Sequence, residues 1–573
     1  MSVKEQWFEK RIGGDYRALA AEYSLSPVTA RLLANRGIKG IDAVTEYFSE
    51  DLKGVNAYED LPDQEKAVSL IIKKISEKKK MRVIGDYDID GVCAAYILTS
   101  AIRKAGGDVD HRIPHRVNDG YGLNDRLVRE AFDDGTDTII TCDNGISAIS
   151  QAKLAKELGM DMIITDHHEI PFHTEDEKVV YDIPEADAVV DPKLPGSRYG
   201  YTDICGAVVA YKLMLALFDR MGIDSGSLED LIEIAAFATI GDVMPLTGEN
   251  RRLVSVGLKR LSETSNPGLK ALISEQGIEG KKISVYHVGF VLGPCINATG
   301  RLDSAEKALQ LLFETDEEKA KEYAHTLVVM NAERKEMTET ACREAVRTAE
   351  LSEYQKDRVL VIYMPDVHES IAGIVAGKVR EKTGKPCFVL TKSGDFVKGS
   401  GRSIEEYDMY RAMNEAGGLL TKFGGHRMAG GLSMPEDNVL PFRKRVNENC
   451  TLTEDDIIQK IRFDMVLPFA YAGTDLVSEI EKLEPFGTGN PGPLFAAANV
   501  KVSSVRIVGR KKNVLTARVT DEAGTVKDAV FFGDVEEFKD YCEGHEKISI
   551  LYNIKTDEYK GTEKAVITIS HYR

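Results

Sequence analysis

Four short apolar runs, MRVIG (81–85), DTIITC (137–142), DMIIT (161–165) and DAVVD (187–191), recur along one stretch of the chain. Between them lie helical patterns such as AAYILTSAIRKAGG (94–107). Runs of this length suit strands buried on both faces, and strands that alternate with helices predict a parallel sheet covered by helices. This pattern constrains the chain more than any other. In such a sheet, ligands sit beyond the carboxyl ends of the strands. Polar residues just past each run should therefore converge on one edge, however far apart they are in sequence.

At 573 residues the chain is too long for a single core. The texture predicts an α/β class with five regions. These are an N-terminal helical segment (1–61), a parallel-sheet domain (62–265), a helical connector (266–352), a second α/β domain (353–450) and a C-terminal β-barrel region (451–573). The connector contains a long charged helix over 315–350. The barrel is read from short alternating runs such as NVLTARVT and KAVITISHY. No apolar run approaches the roughly 20 residues of a membrane span, and MSVKEQWFEKRIGG has no apolar core of a secretory signal. Eight cysteines without a CxxC pair suggest reduced thiols in a cytoplasmic protein. The net charge of −18 argues against indiscriminate nucleic-acid binding. It leaves room for a local basic groove, and bound cations would neutralise part of the acidic surplus.

The residues after the apolar runs carry the chemistry. MRVIG is followed by Asp86-Tyr87-Asp88-Ile89-Asp90-Gly91, DTIITC by Asp143-Asn144-Gly145 and DMIIT by Asp166-His167-His168. A further run, IAAFATIG (234–241), ends at Asp242 and is read as a fourth strand end. Alone, each group would be a turn, a cap or a surface loop. Together on one edge they form a set of oxygen and imidazole donors without cysteine. Such a set suits Mn²⁺ or Mg²⁺ rather than structural zinc. It is large enough for two ions sharing a carboxylate, spaced roughly 3.5–4 Å, as in phosphoryl displacement.

The order DYDIDG, CDNG, DHH, GDV resembles the motifs of the DHH phosphoesterase superfamily. GPCINATGRLDSA (293–305), VHESIAGIVAGKV (367–379), KGSGRS (398–403), GGHRMAGG (424–431) and EPFGTGNPGPLF (484–495) further resemble the RecJ exonucleases of that superfamily. The resemblance implies a DHH domain, a DHH-associated domain and an OB-fold. It implies 5′→3′ hydrolysis of single-stranded DNA to mononucleotides with two Mn²⁺ or Mg²⁺ ions, in recombination and repair. A helicase and a single-strand-binding protein would be partners. Asp88 and Asp90 would each serve a different ion, with Asp86 a further ligand or a carboxylate behind the ligands. Asp143 would bridge, His167 and Asp242 would complete the second site, and Asp166 would orient a histidine. His168 would face the scissile phosphate, as an electrophilic contact or a proton donor.

The same resemblance makes Arg116, Ser400 and Arg402 contacts to a 5′ phosphate, Arg301 a phosphate contact near the ions, and His426 a strand contact. His368 stays open between site and scaffold. The family commonly has an arginine before INA, where this chain has Cys295. In the barrel, Arg506, Arg510, Lys511 and Lys512 form a basic segment near Phe531 and Phe532, which could equally be solvated surface and core. Alternative readings are another enzyme of the superfamily (an oligoribonuclease, a cyclic-dinucleotide phosphodiesterase or a pyrophosphatase) or a non-catalytic single-strand-binding scaffold. The long helix and terminal barrel favour an exonuclease over the former, and competent residues at every ligand position favour it over the latter.

Overall fold

The computed structural model describes residues 5–11, 16–52, 55–116, 119–120, 122–175, 178–509, 512–559 and 562–573. They form two compact units, one from residues 52–244 and 256–459, the other from residues 5–51, 245–255 and 460–573. Arg510 and Lys511 of the basic segment lie outside the described residues.

The first unit contains the expected parallel sheet. Its five strands run in the order Val109–Arg112, Met81–Ile84, Thr138–Cys142, Asp161–Thr165, Ala188–Val190, each parallel to its neighbours. Met81–Ile84 and Thr138–Cys142 are buried along their whole length, as central strands covered on both faces must be. The edge strand VDHR has too little apolar content to stand out in sequence. One expectation needs correction. IAAFATIG is not a strand but most of the helix Leu231–Gly241, buried at nearly every position. A run without polar residues has no period to separate helix from strand. Asp242 therefore reaches the sheet edge from a helix C-terminus.

A second sheet in this unit has the order Lys422–His426, Ala429–Met434, Phe396–Arg402, Cys387–Ser393, Leu360–Tyr363, with only the last pair parallel. The helix Glu317–Ala349 precedes it, its first turn capped by Asp316, which accepts from Glu318 N and Lys319 N at 3.1 and 3.0 Å. Ala341, Ala345 and Ala349 of this helix join Leu360, Ile362 and Val375 in one core.

In the second unit, strands Phe495–Val508, Val514–Thr520, Val526–Phe532, Thr562–Tyr572 and Ile548–Tyr559 follow one another, and the last pairs back to the first, closing a barrel. Leu19, Leu32, Leu33 and Val44 from the N-terminal segment share its core. That segment also carries a strand, Glu5–Glu9, beside its helices. Phe531 is core, while Phe532 is 60% exposed. Among the described residues no helix is long and apolar enough to cross a membrane.

Candidate metal centre and strand-binding site

The predicted convergence occurs at the carboxyl edge of the parallel sheet. Asp88 caps the helix Ile89–Lys104, accepting from Asp90 N at 3.0 Å and Gly91 N at 3.2 Å. Asp90, buried, accepts from Gly206 N at 2.6 Å and Ala207 N at 2.8 Å at the start of the helix Gly206–Met221. Two helix N-termini thus point their free amides and positive dipole ends at neighbouring carboxylates. Asp143 follows its strand in the left-handed region, with φ 59°, and its amide donates to Thr165 O at 3.1 Å. A Cβ at Gly206 would lie 2.7 Å from Asp143 Cβ and 3.1 Å from Asp90 Oδ2, so only glycine fits beside the cluster.

The donors fall into three overlapping groups, linked through Asp143 and His167. Ligand atoms of Asp86, Asp88 and Asp143 lie within 4.8 Å of one another, as do those of Asp90, His167 and Asp242 and those of Asp143, His167 and His168. His167 Nε2 lies 3.1 Å from Asp143 Oδ1, 3.5 Å from Asp90 Oδ2 and 3.9 Å from Asp242 Oδ2. Burial, reinforced by neighbouring carboxylates, pushes the Asp86, Asp88 and Asp143 carboxyls above their ordinary range, and Asp242 to about 8. Such crowding needs protons or cations, and every donor here is a hard oxygen or an imidazole. The residues fit a pair of divalent cations.

Asp166 works differently. Its Oδ1 accepts from His167 N at 2.7 Å, His168 N at 3.2 Å and His168 Nδ1 at 2.7 Å, while Oδ2 accepts from Ile146 N at 2.9 Å. Burial favours the neutral carboxyl, but the His168 hydrogen bond and charge outweigh it, and Asp166 stays below the usual carboxylate range. Reciprocally, burial opposes the His168 charge, yet the Asp166 bond raises it to about 9. The Asp166 bond thus favours the charged form of His168. Burial lowers His167 instead, leaving a neutral imidazole of the kind that binds metal.

A series of arginines carries on from this cluster. Arg116 lies 4.8 Å over the Tyr87 ring, and Arg301 donates to Ser370 O at 2.6 Å. Arg402 donates to Gly401 O at 2.8 Å, and Arg334 donates twice to Asn331 Oδ1, at 3.2 and 2.9 Å. Among the described residues none of the four is ion-paired with a carboxylate. Burial, then the fields of Arg116 and Arg334, lower Arg301 to about 10. Burial, then Arg380 and Arg116, lower Arg402. Half-buried like charges of this kind suit an anion.

Ser400 and Arg402 stand two apart on one strand, so they share a face. They lie under the start of the helix Ala372–Thr383, where a Cβ at Gly373 would be 3.0 Å from Arg402 Nη2 and 3.5 Å from Ser400 Cβ.

Three family models match the chain: the DHH family N-terminal domain over residues 80–241, the DHHA1 domain over 356–451 and the RecJ OB domain over 463–571. The single-stranded-DNA-specific exonuclease RecJ of Escherichia coli strain K12 is 31% identical over 572 residues, covering 96% of this chain and 96% of that protein. The chain belongs to the RecJ family. The Bacillus subtilis RecJ is 32% identical, with 99% of this chain and 71% of that protein covered. The crystal structure of Thermus thermophilus RecJ in complex with Mn²⁺ superposes with a TM-score of 0.82 at 26% identity, covering 100% of this chain and 80% of that one.

Not every predicted residue joins the RecJ-like cluster. His426 is exposed at the end of its strand, where its Nδ1 accepts from Met428 N at 3.3 Å; among the described residues it makes no hydrogen bond to the other site residues. His368 caps Glu369–Ile371, its Nδ1 accepting from Ser370 N at 3.3 Å. Cys295 is buried, its thiol facing Gln276 Nε2 and Asn331 Nδ2 at 3.4 Å each.

Sequence reasoning missed three residues. Arg334 sits on the helix read only as a connector, held by the Asn331 that also touches Cys295. Asn297 Oδ1 accepts from Ile89 N at 2.9 Å and steadies the DYDID loop. Asp191 ends the strand Ala188–Val190, fully buried, and burial plus the Asp166 charge push it to about 8. Its signal was available, since Asp191 closes the run DAVVD.

Proposed function

We propose that this chain hydrolyses single-stranded DNA from the 5′ end, releasing mononucleotides, with two Mn²⁺ or Mg²⁺ ions. The observation that carries this is the overlap of three donor groups through Asp143 and His167, flanked by arginines that have no carboxylate partner among the described residues. Asp86, Asp88 and Asp143 would hold one ion, and Asp90, His167, Asp242 and the shared Asp143 the other. When bound, the ions supply Lewis acidity toward the phosphate and activate water at neutral pH.

The remaining chemistry belongs to the chain. Asp166 keeps the His168 ring oriented and favours its protonated form, so the imidazolium could donate to a phosphate oxygen or to the departing oxygen. Arg301, buried and already tied to Ser370 O, offers a preorganised cation to the charge that develops on the phosphate. Ser400, Arg402 and Arg116 would bind the terminal 5′ phosphate. Fixing the terminus while a neighbouring phosphodiester lies at the carboxylates gives the reaction its polarity. Arg334 would contact a phosphate further along the strand.

We further propose that residues 62–265 bear the catalytic groups, 353–450 the terminal-phosphate pocket and 451–573 a strand-binding barrel, with 1–61 and 266–352 as scaffold. The eight cysteines, all free thiols, suit a reducing cytoplasm, where a helicase and a single-strand-binding protein would present the strand.

With 5′-labelled single-stranded DNA and Mn²⁺, labelled mononucleotide is expected from the first time point. Label retained in long fragments until digestion is complete would instead mean attack from the 3′ end.

A further inference from the structure

Two aromatic rings stand in solvent at the turn that leads into the helix bearing Arg301, and the hydrolysis derived above uses neither. Tyr286 is 63% exposed and Phe290 68%. Their rings stack with centroids 5.4 Å apart and planes 25° apart. Phe290 belongs to His287–Leu292, a stretch wound as a π-helix that leads into the helix Gly293–Leu302 bearing Arg301. Such turns are rare and often mark functional sites.

This turn is tied to the carboxylate loops through one side chain. A Cβ at Gly293 would lie 3.2 Å from Ile89 Cδ1, and one at Gly241 would lie 2.5 Å from the same atom. A Cβ at Gly289 would lie 3.9 Å from Ile240 Cγ2. Ile89 separates Asp88 from Asp90, and Gly241 precedes Asp242, so the aromatic turn and the two acidic segments meet at Ile89. Val243, directly after Asp242, has φ 60° and is 67% exposed. A β-branched residue rarely adopts that conformation, and here it directs a third apolar side chain outward.

Tyr286, Phe290 and Val243 thus present exposed apolar side chains, while the arginines described above would supply the sites for phosphates. A single strand passing the cluster has only its bases to offer such a surface. Stacking on a ring face tolerates any sequence, as degradation of arbitrary DNA requires. We propose that Phe290, backed by Tyr286, is a stacking platform for an unpaired base of the strand beside the carboxylate cluster. The proposal rests on the nuclease reading above. It also adds a selection against duplex, whose bases have both faces occupied by their neighbours.

The test uses the full chain with 5′-phosphorylated, 3′-fluorescent oligonucleotides in Ca²⁺, with their integrity checked after each titration. An abasic site is moved along the strand one position at a time. For the wild type, one or two positions should weaken binding about tenfold. Phe290→Ala should weaken binding of intact DNA by a similar factor and flatten the profile. Phe290→Trp should keep the profile, and in a Trp7→Phe background, which removes the chain's only native tryptophan, its indole emission should be quenched by DNA. Wild-type affinity in Phe290→Ala, an unchanged abasic profile, or an unquenched Trp at 290 would each overturn the platform. Failure of the nuclease reading looks different: no mononucleotide appears in Mn²⁺ from any variant, whatever the abasic profile.

Discussion

Replacing Asp242 by Asn should stabilise the metal-free chain and remove most of its stabilisation by Mn²⁺. The Asp242 carboxyl is raised to about 8 by burial and by the charges of Asp90 and Asp88. A carboxyl whose folded pKa lies above its unfolded one contributes stability at low pH. That contribution is lost as pH rises from the ordinary value of 3.8 toward 8. At pH 7 the shift corresponds to about 4 kcal/mol, at about 1.36 kcal/mol per unit. The side chain is 29% exposed, and solvent screening reduces the cost to about 2–3 kcal/mol. Asparagine keeps the shape without the charge and should recover that amount in EDTA.

A cation at 100 times its dissociation constant supplies about 2.7 kcal/mol, so metal and mutation should have comparable effects on the wild-type cluster but not add. At about 2–4 °C per kcal/mol for a domain of this size, either should raise the unfolding midpoint by roughly 4–12 °C. The assay is thermal unfolding at pH 6, 7 and 8, in EDTA and in Mn²⁺. The wild-type midpoint in EDTA should fall as pH rises, and the gain from Mn²⁺ should grow. In Asp242→Asn the midpoint in EDTA should be higher and its fall with pH smaller. A lower midpoint for the variant in EDTA, or an undiminished gain from Mn²⁺, would refute the claim that cations relieve this crowding.

Two further predictions concern the groups that act on the strand. Asp166→Asn removes the carboxylate charge that helps raise His168 to about 9, so the imidazolium is lost at lower pH; Mn²⁺-dependent turnover should fall at least tenfold at pH 8 and less at pH 6. Equal loss at both pH values would reduce Asp166 to a backbone cap for Ile146 and His167. Arg402→Ala should weaken 5′-phosphorylated oligonucleotides more than 5′-hydroxyl ones, whereas Arg334→Ala should weaken both equally and lower the slope of log affinity against log salt by roughly 0.7. If Arg402→Ala is blind to the terminal phosphate, or Arg334→Ala leaves the slope unchanged, the corresponding contact does not exist.

What could be read in the sequence was what packing could not account for. Alone, the three aspartates at 86–90 or Asp166-His167-His168 would pass for a turn or surface loop, but such groups recur directly after successive apolar runs. The parallel-sheet rule then brings them together without knowledge of any contact. Asp242 was the right residue on the wrong element, because an unbroken apolar run has no period, and the rule that gathers strand ends happened to be matched by a helix end. Ser400 and Arg402 were harder, since glycines in KGSGRS disguise a strand as a loop; only the pairing with Cys387–Ser393 and Ala429–Met434 puts both side chains on one face. Arg334 and Phe290 could not be read at all. Arg334 is one charge among many on a charged helix, and nothing local says that it points inward at Asn331 rather than into water. Phe290 sits in VYHVGFVLG, where a core phenylalanine is the expected reading, and its exposure follows from a π-turn that no residue pattern there announces. Clustered buried carboxylates are costly in any fold that does not use them, so their presence is informative. The residues that hold a strand are ordinary types, and they acquire meaning only from the face on which the backbone places them.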